Sequence, residues 1–267
     1  MKQRLITIMI FLPIFLGIML TNNFNIIAIS VFTLSMIGLK EFYDSFQKLD
    51  KPYMWLGFLG GTVLYIMMTF GFENHILTFI LIYCFLLSSL AIFKYTSRSI
   101  RNIGIILLGI LYVPFLFSFI VQVYSINEIG YLLTWFVFII SWSTDSFACL
   151  VGLFLGRRKI TPILSPKKSL EGFIGGTVCT TLISIAFGIL VSELNLVDIN
   201  NFVFICGLIG FFGSIVSQIG DLVASAIKRQ NKIKDYGKLF PGHGGVLDRF
   251  DSVLFVAPAI YLICQFV

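Results

Sequence analysis

Apolar residues run along the chain in nine long blocks, at about residues 5–21, 24–39, 55–72, 76–93, 103–123, 131–155, 172–192, 202–227 and 252–267. Most are close to the roughly 20 residues that cross a bilayer as a helix. The pattern predicts an all-α polytopic membrane protein, a bundle of about nine transmembrane helices. The polar residues between the blocks then sort by sign. Lys2 and Arg4; Lys40, Lys48 and Lys51; Lys94, Arg98 and Arg101; Arg157, Arg158, Lys159, Lys167 and Lys168; and Lys228, Arg229, Lys232, Lys234, Lys238 and Arg249 all fall at the N-terminus or in every second connection, and they are all 19 basic residues. The alternate connections hold only Glu73, Glu128, Glu193 and Asp198 as charged residues. Positive residues stay on the cytoplasmic side, so the pattern predicts the N-terminus inside and the C-terminus outside.

Composition agrees with the blocks. Apolar residues make up 58% and charged ones 12%, against roughly half and a quarter in soluble domains. The net charge of +6 therefore describes one basic cytoplasmic face, suited to anionic headgroups and nucleotides rather than to nucleic acid. Met19-Leu-Thr-Asn-Asn offers no small-residue cleavage site, so the first block is expected to stay as a helix. The five cysteines (Cys84, Cys149, Cys179, Cys206, Cys264) lie inside apolar blocks without paired spacing, which excludes a disulfide framework or zinc site as a reading. With no linker or repeat, residues 1–267 read as one integral membrane domain. Residues 1–130 take a lipid-entry or packing role, and 131–267 carry the catalytic helices and cytoplasmic loops.

Candidate chemistry gathers in that second half. Asp145 lies well inside the sixth block, where an ionised carboxylate facing lipid costs several kcal/mol, so it should face protein or water. Helical spacing aligns Ser141, Asp145, Ala148, Gly152 and Gly156 as the wall of a polar crevice. In the next loop Ser165-Pro166 reads as a helix start that would aim backbone N–H groups and Lys167 and Lys168 at an anion. Arg157 to Lys159 read instead as a solvated face attracted to acidic lipids. In the eighth block Asp221, Ser225, Lys228 and Lys232 recur at helical spacing, with the carboxylate deepest. Asp248 and Asp251 precede the last block. Asp221, Asp248 and Asp251 together are the oxygen donors that Mg²⁺ prefers, while Asp251 also reads as a helix N-cap. Pro241-Gly242-His243-Gly244-Gly245 is a turn whose backbone can approach phosphate. His243 is either a donor to a leaving pyrophosphate or a structural histidine.

The run from Ser225 through Lys228-Arg229, Lys234-Asp235, Gly237, Pro241 to Gly245 and Asp248-Arg249-Phe250-Asp251 resembles the signature of the phosphatidate cytidylyltransferases. Ser165-Pro166-Lys167-Lys168 with Glu171-Gly172 resembles that family's second shared element, although Ser169 and Leu170 replace a Thr and a Trp. The resemblance covers about a tenth of the chain by its main motif. It implies transfer of CMP from CTP to phosphatidic acid in a bacterial inner membrane, a Mg²⁺ requirement that Mn²⁺ can meet, K⁺ as a second cation, and a homodimer. At the matched positions Lys167, Lys168, Glu171, Lys228, Arg229, Lys234, Asp235, His243 and Arg249 are the expected catalytic residues, joined by Asp145 from its place inside an apolar block, and Ser165, Ser225, Gly242, Gly244 and Gly245 are expected to bind substrate.

The residues themselves favour the same chemistry. No Ser/His/Asp or Cys/His arrangement offers a covalent nucleophile, whereas carboxylates with lysine and arginine clamps suit displacement at phosphorus. Other readings stay open: a different CTP-using lipid enzyme, such as a polyprenol kinase or a cytidylyltransferase for another lipid phosphate, and more remotely a cation or lipid transporter.

Overall fold

The computed structural model describes residues 2–46, 49–93, 99–126, 129–162, 164–197, 199, 201–242 and 244–266. Each of the nine apolar blocks is helical. In chain order the helices are α1 (Lys2–Leu20), α2 (Phe24–Ser45), α3 (Lys51–Thr69), α4 (Ile76–Phe93), α5 (Ser99–Tyr112), α6 (Pro114–Tyr124), α7 (Gly130–Leu155), α8 (Leu170–Glu193), α9 (Phe202–Gln230), the short α10 (Leu247–Phe250) and α11 (Val253–Phe266). Among the described residues there is no strand, only isolated bridges between Lys159 and Ser169 and between Phe240 and Gly244. Helices satisfy their own backbone groups, which is what a segment in hydrocarbon must do. Six segments are long and apolar enough to span a bilayer: Phe24–Ser45, Glu73–Phe93, Ser99–Tyr124, Gly130–Leu155, Leu170–Glu193 and Phe202–Gln230. Phe93 and Phe154 are 87% and 82% exposed, an arrangement stable for a polytopic membrane protein whose outer surface meets lipid.

The fifth apolar block is two helices in tandem. Pro114 has no N–H to return to the preceding turn, so α6 starts there, while Val113 still donates to Gly109 O and accepts from Phe117 N, both at 2.9 Å.

The chain divides into two compact units, Met1–Gln122 with Asn231–Arg249, and Val123–Gln230 with Phe250–Val267. In the first unit α3, α4 and α5, with Phe115 and Phe119 of α6, pack around Leu64, Met68, Tyr83, Leu87, Ile106 and Ile110. Tyr43 is wedged between Gly57 and Gly109, and its hydroxyl donates to Ile106 O at 3.0 Å. The loop 231–249 belongs to this unit: Leu247 packs on Gly38, Phe240 meets Phe11 edge-on, and Asn231 Nδ2 donates to Ser45 Oγ at 3.4 Å. The helices before residue 123 thus pack with residues 231–249, the middle of the strongest sequence motif.

The second unit is built from α7, α8, α9 and α11. Small residues let α7 and α8 approach closely. A β-carbon on Gly172 would lie 2.6 Å from Ala148 O, and one on Gly176 would lie 2.9 Å from Ala148 Cβ. Ala148, Gly152 and Gly156 therefore form a helix-packing seam rather than the expected crevice wall, and the Gly172/Gly176 pair serves packing within one chain. Higher up, Thr180 Oγ1 meets the hydroxyls of Ser143 at 3.2 Å and Thr144 at 3.1 Å, and Phe136 stacks on Phe187.

Candidate active site

Two polar centres stand out, one in each unit. The first belongs to the four-helix unit and is built on α9. Gln218, Asp221 and Ser225 follow one another at intervals of three and four, so they share one face. Gln218 is buried and its amide donates to Thr177 Oγ1 at 3.2 Å and to Phe173 O at 3.3 Å, which locks α9 against α8. Ser225 Oγ donates to Asp221 Oδ1 at 3.4 Å. Lys168 reaches the same carboxylate: its Nζ lies 2.6 Å from Asp221 Oδ2 and 3.4 Å from Gln218 O, with both ionic side chains about a quarter exposed (24% and 29%).

The loop that delivers Lys168 is held by backbone bonds. Leu170 N donates to Arg158 O (2.8 Å), Ile160 N to Lys168 O (3.3 Å) and Lys168 N to Ser165 O (3.2 Å). Glu171, from the first turn of α8, accepts Arg157 N at 2.9 Å and Arg158 N at 3.2 Å. Its placement is that of a loop anchor. The expected helix start at Ser165-Pro166 is corrected: α8 begins at Leu170, capped by Ser169 Oγ, which accepts Gly172 N at 3.2 Å. Ser165 and Pro166 lie in the preceding turn, because Ser169 offers a cap that also closes the bridge to Lys159. Lys167 is exposed on that turn.

Asp145 and Asp251 complete this centre. Ser252 Oγ donates to both oxygens of Asp145, at 3.3 and 3.2 Å, and Ser252 N donates to Asp251 Oδ1 at 2.9 Å. The carbonyl of Ser252 accepts from Phe255 N and Val256 N, so Ser252 is the residue that opens α11, and Asp251 lies one position too early to be its cap. Asp251 is only 8% exposed. Burial foremost, then the Asp221 and Asp145 carboxylates, push its carboxyl up to about 8, against the pull of Lys228 and the Ser252 N–H. Three carboxylates, Asp145, Asp221 and Asp251, thus act on one another here, with Lys168 and Lys228 as the nearby positive charges. Among the described residues no three His, Cys, Asp or Glu side chains converge into a ready-made metal cage. The donor chemistry nonetheless fits Mg²⁺, which is commonly held by one or two carboxylates with water and substrate phosphate in the rest of its shell.

Lys228 and Arg229 occupy the last turn of α9. Lys232, expected on the same helical face, lies beyond the helix end with φ of 57°. The helix stops at Gln230, so the four-residue repeat of charges outlasts the helix that would align it.

The second centre is the loop of the first unit. Phe240 N donates to Gly244 O at 2.9 Å, closing a tight turn in which Gly242 and Gly244 have φ of 77° and 87°, a region that favours glycine. His243 lies outside the described residues. Asp248 belongs to this unit, 8% exposed, and its Oδ2 accepts Tyr236 N at 2.8 Å and Gly245 N at 2.9 Å. Lys234, Asp235 and Arg249 are exposed. A residue that sequence reasoning missed sits beneath them: Glu41 of α2, which accepts Leu247 N at 3.1 Å. No local pattern marks it, because its partner is 206 positions away. Gln218 was legible as a continuation of the Asp221 stripe by one turn.

Over residues 2–267 the chain matches the cytidylyltransferase family. It is 32% identical over 268 residues to a phosphatidate cytidylyltransferase of Staphylococcus haemolyticus strain JCSC1435, a match that spans 98% of each chain. A protein of the same name from Staphylococcus aureus strain COL is 33% identical over 268 residues, again 98% of each chain. One from Bacillus subtilis strain 168 is 40% identical over 162 residues, 61% of this chain and 58% of that protein. With its fold of long apolar helices, its charged centres and this full-length match, the chain belongs to the cytidylyltransferase family.

Proposed function

We propose that the protein transfers CMP from CTP to phosphatidic acid, forming CDP-diacylglycerol and pyrophosphate. The observation that carries this reading is the centre on α9. There a lysine pairs with Asp221, a hydroxyl donates to the same carboxylate, and a second, buried carboxylate stands at Asp251 in the same helical unit. Family membership and the name shared by its relatives support the substrates.

In this reading a phosphate oxygen of phosphatidate attacks the α-phosphorus of CTP. The bond from that phosphorus to the bridging oxygen breaks, and pyrophosphate leaves with the electron pair. The nucleophile is already anionic, so no strong base is required, and catalysis is positioning and charge neutralisation. Lys168 and Lys228 supply positive charge to the phosphates, and Lys168 exchanges Asp221 for a phosphate oxygen when nucleotide arrives. Asp221 and Asp251 hold Mg²⁺, which when bound neutralises phosphate charge and polarises the α-phosphorus. Ser252 keeps the Asp145 carboxylate oriented. The sorting of all 19 basic residues supports a cytoplasmic face of a bacterial membrane for this chemistry, with the N-terminus inside and the C-terminus outside. The functional form is a homodimer, and a monovalent cation such as K⁺ is the second ion.

The test is acceptor choice. Purified protein in detergent, given labelled CTP and Mg²⁺ with either phosphatidate or a polyprenol, should label only phosphatidate. Labelling of the polyprenol alone would replace this reading with a lipid kinase.

A further inference from the structure

Glu41 is the most unexpected polar group of the first unit. It is 7% exposed, in the polar last turns of α2, and it faces a loop from the other end of the chain. Its Oε2 accepts Leu247 N at 3.1 Å. Gly237 and Gly245 lie directly against its carboxylate, so that a β-carbon on either would run into its oxygens. Neither glycine has a positive φ; a β-carbon at either would have to push the Glu41 carboxylate aside. Two of the glycines in the sequence motif are thus accounted for by a contact with this side chain, and only Gly242 and Gly244 by turn conformation. The loop between them is wrapped on two acids. Glu41 takes the N–H at its end, and Asp248 takes those of Tyr236 and Gly245 at its start and middle.

We infer that Glu41 is a positioning residue that fixes the glycine-rich loop 236–247 and, with it, the Asp248 carboxylate. A carboxylate suits this task because it offers only acceptors, and the N–H groups of a reversing loop have no helical partner. An amide at the same place would turn one donor toward those N–H groups. The inference rests on the proposed CMP transfer and on the expectation that the Pro241 to Gly245 turn approaches a phosphate, and the experiment separates the two.

The full chain, purified in detergent, is compared with Glu41→Gln and with Tyr43→Phe. Tyr43 lies two residues further along α2 and also makes a buried hydrogen bond to the first unit. Limited trypsin digestion reports on the loop itself, through the exposed Lys238, and needs no turnover. Glu41→Gln should be cut after Lys238 at least about fivefold faster than wild type, in proportion to the open population. It should also lose about tenfold or more in kcat, with the phosphatidate KM changed less than about twofold. Tyr43→Phe should lower thermal stability and leave cleavage after Lys238 and kcat near wild type. If Glu41→Gln does not yield folded protein, Gly245→Ala, which displaces the carboxylate from the loop side, is read by the same two measures. Wild-type cleavage rates after Lys238 in these variants, or equal effects from Tyr43→Phe, would overturn the assignment. If wild type transfers no CMP, the functional reading fails while the cleavage ratio still decides the role of Glu41.

Discussion

Asp221 holds Lys168 at 2.6 Å and accepts a hydrogen bond from Ser225 one turn along α9, so a single carboxylate organises two side chains. Asp221→Asn keeps the shape but removes the charge. It should retain a folded, membrane-inserted protein and lose at least about a hundredfold in CDP-diacylglycerol synthesis, roughly 2.7 kcal/mol of transition-state stabilisation. Near-normal turnover with an unchanged Mg²⁺ dependence would remove Asp221 from the site. Lys168→Ala should lose more than about tenfold, whereas Lys40→Ala, an exposed lysine on α2, should stay near wild type; equal mild losses would mean that the basic face only attracts lipid headgroups. Asp145 and Asp221 were legible in the sequence because a carboxylate in an apolar stretch stands out by its cost; Asp251 was legible beside Asp248, just before the last block. Glu41 was not, because it lies just past an apolar block, where a charged residue is unremarkable. What makes it special is a partner 206 residues away.

At the scale of elements, hydropathy located every long helix, since a bilayer demands length and apolarity and little else. Helix ends were harder. The Ser165-Pro166 pair carries a good local start signal. The chain starts α8 four residues later because Ser169 caps it and Glu171 reaches back to the Arg157 and Arg158 N–H groups, contacts no local rule contains. The small residues of α7 were legible as a stripe, yet their partner was not; they face α8, and only Asp145, above the seam, meets a polar group in Ser252. Gly172→Ala tests the seam. Its β-carbon would meet the Ala148 carbonyl oxygen at 2.6 Å, and backbone cannot swing aside. The variant should lose about 1–3 kcal/mol of stability, as overpacked cores do, seen as a lower thermal midpoint in detergent. An unchanged midpoint with loss of oligomer would show that the glycine serves contact between chains instead.

For the whole molecule, the sorting of charges predicts orientation. After replacement of the five native cysteines, a cysteine at Glu193 should react with an impermeant thiol reagent added to intact cells, and one at Lys238 should not. Labelling at Lys238 would invert the topology and move both polar centres to the wrong side for CTP. The division into two units was not legible, because the loop 231–249 follows α9 in sequence yet packs with the N-terminal helices, through Glu41, Gly38 and Phe11. Apolar blocks reveal how many helices there are, not which of them a loop returns to. The central claim is that the α-phosphorus of CTP is the atom attacked. It is tested by giving purified protein, phosphatidate and Mg²⁺ with CTP labelled at either the α- or the γ-phosphate, and following the lipid fraction. The α-label should enter a CDP-lipid while γ-label is released as pyrophosphate; γ-label in the lipid, or no transfer of α-label, would contradict attack at the α-phosphorus.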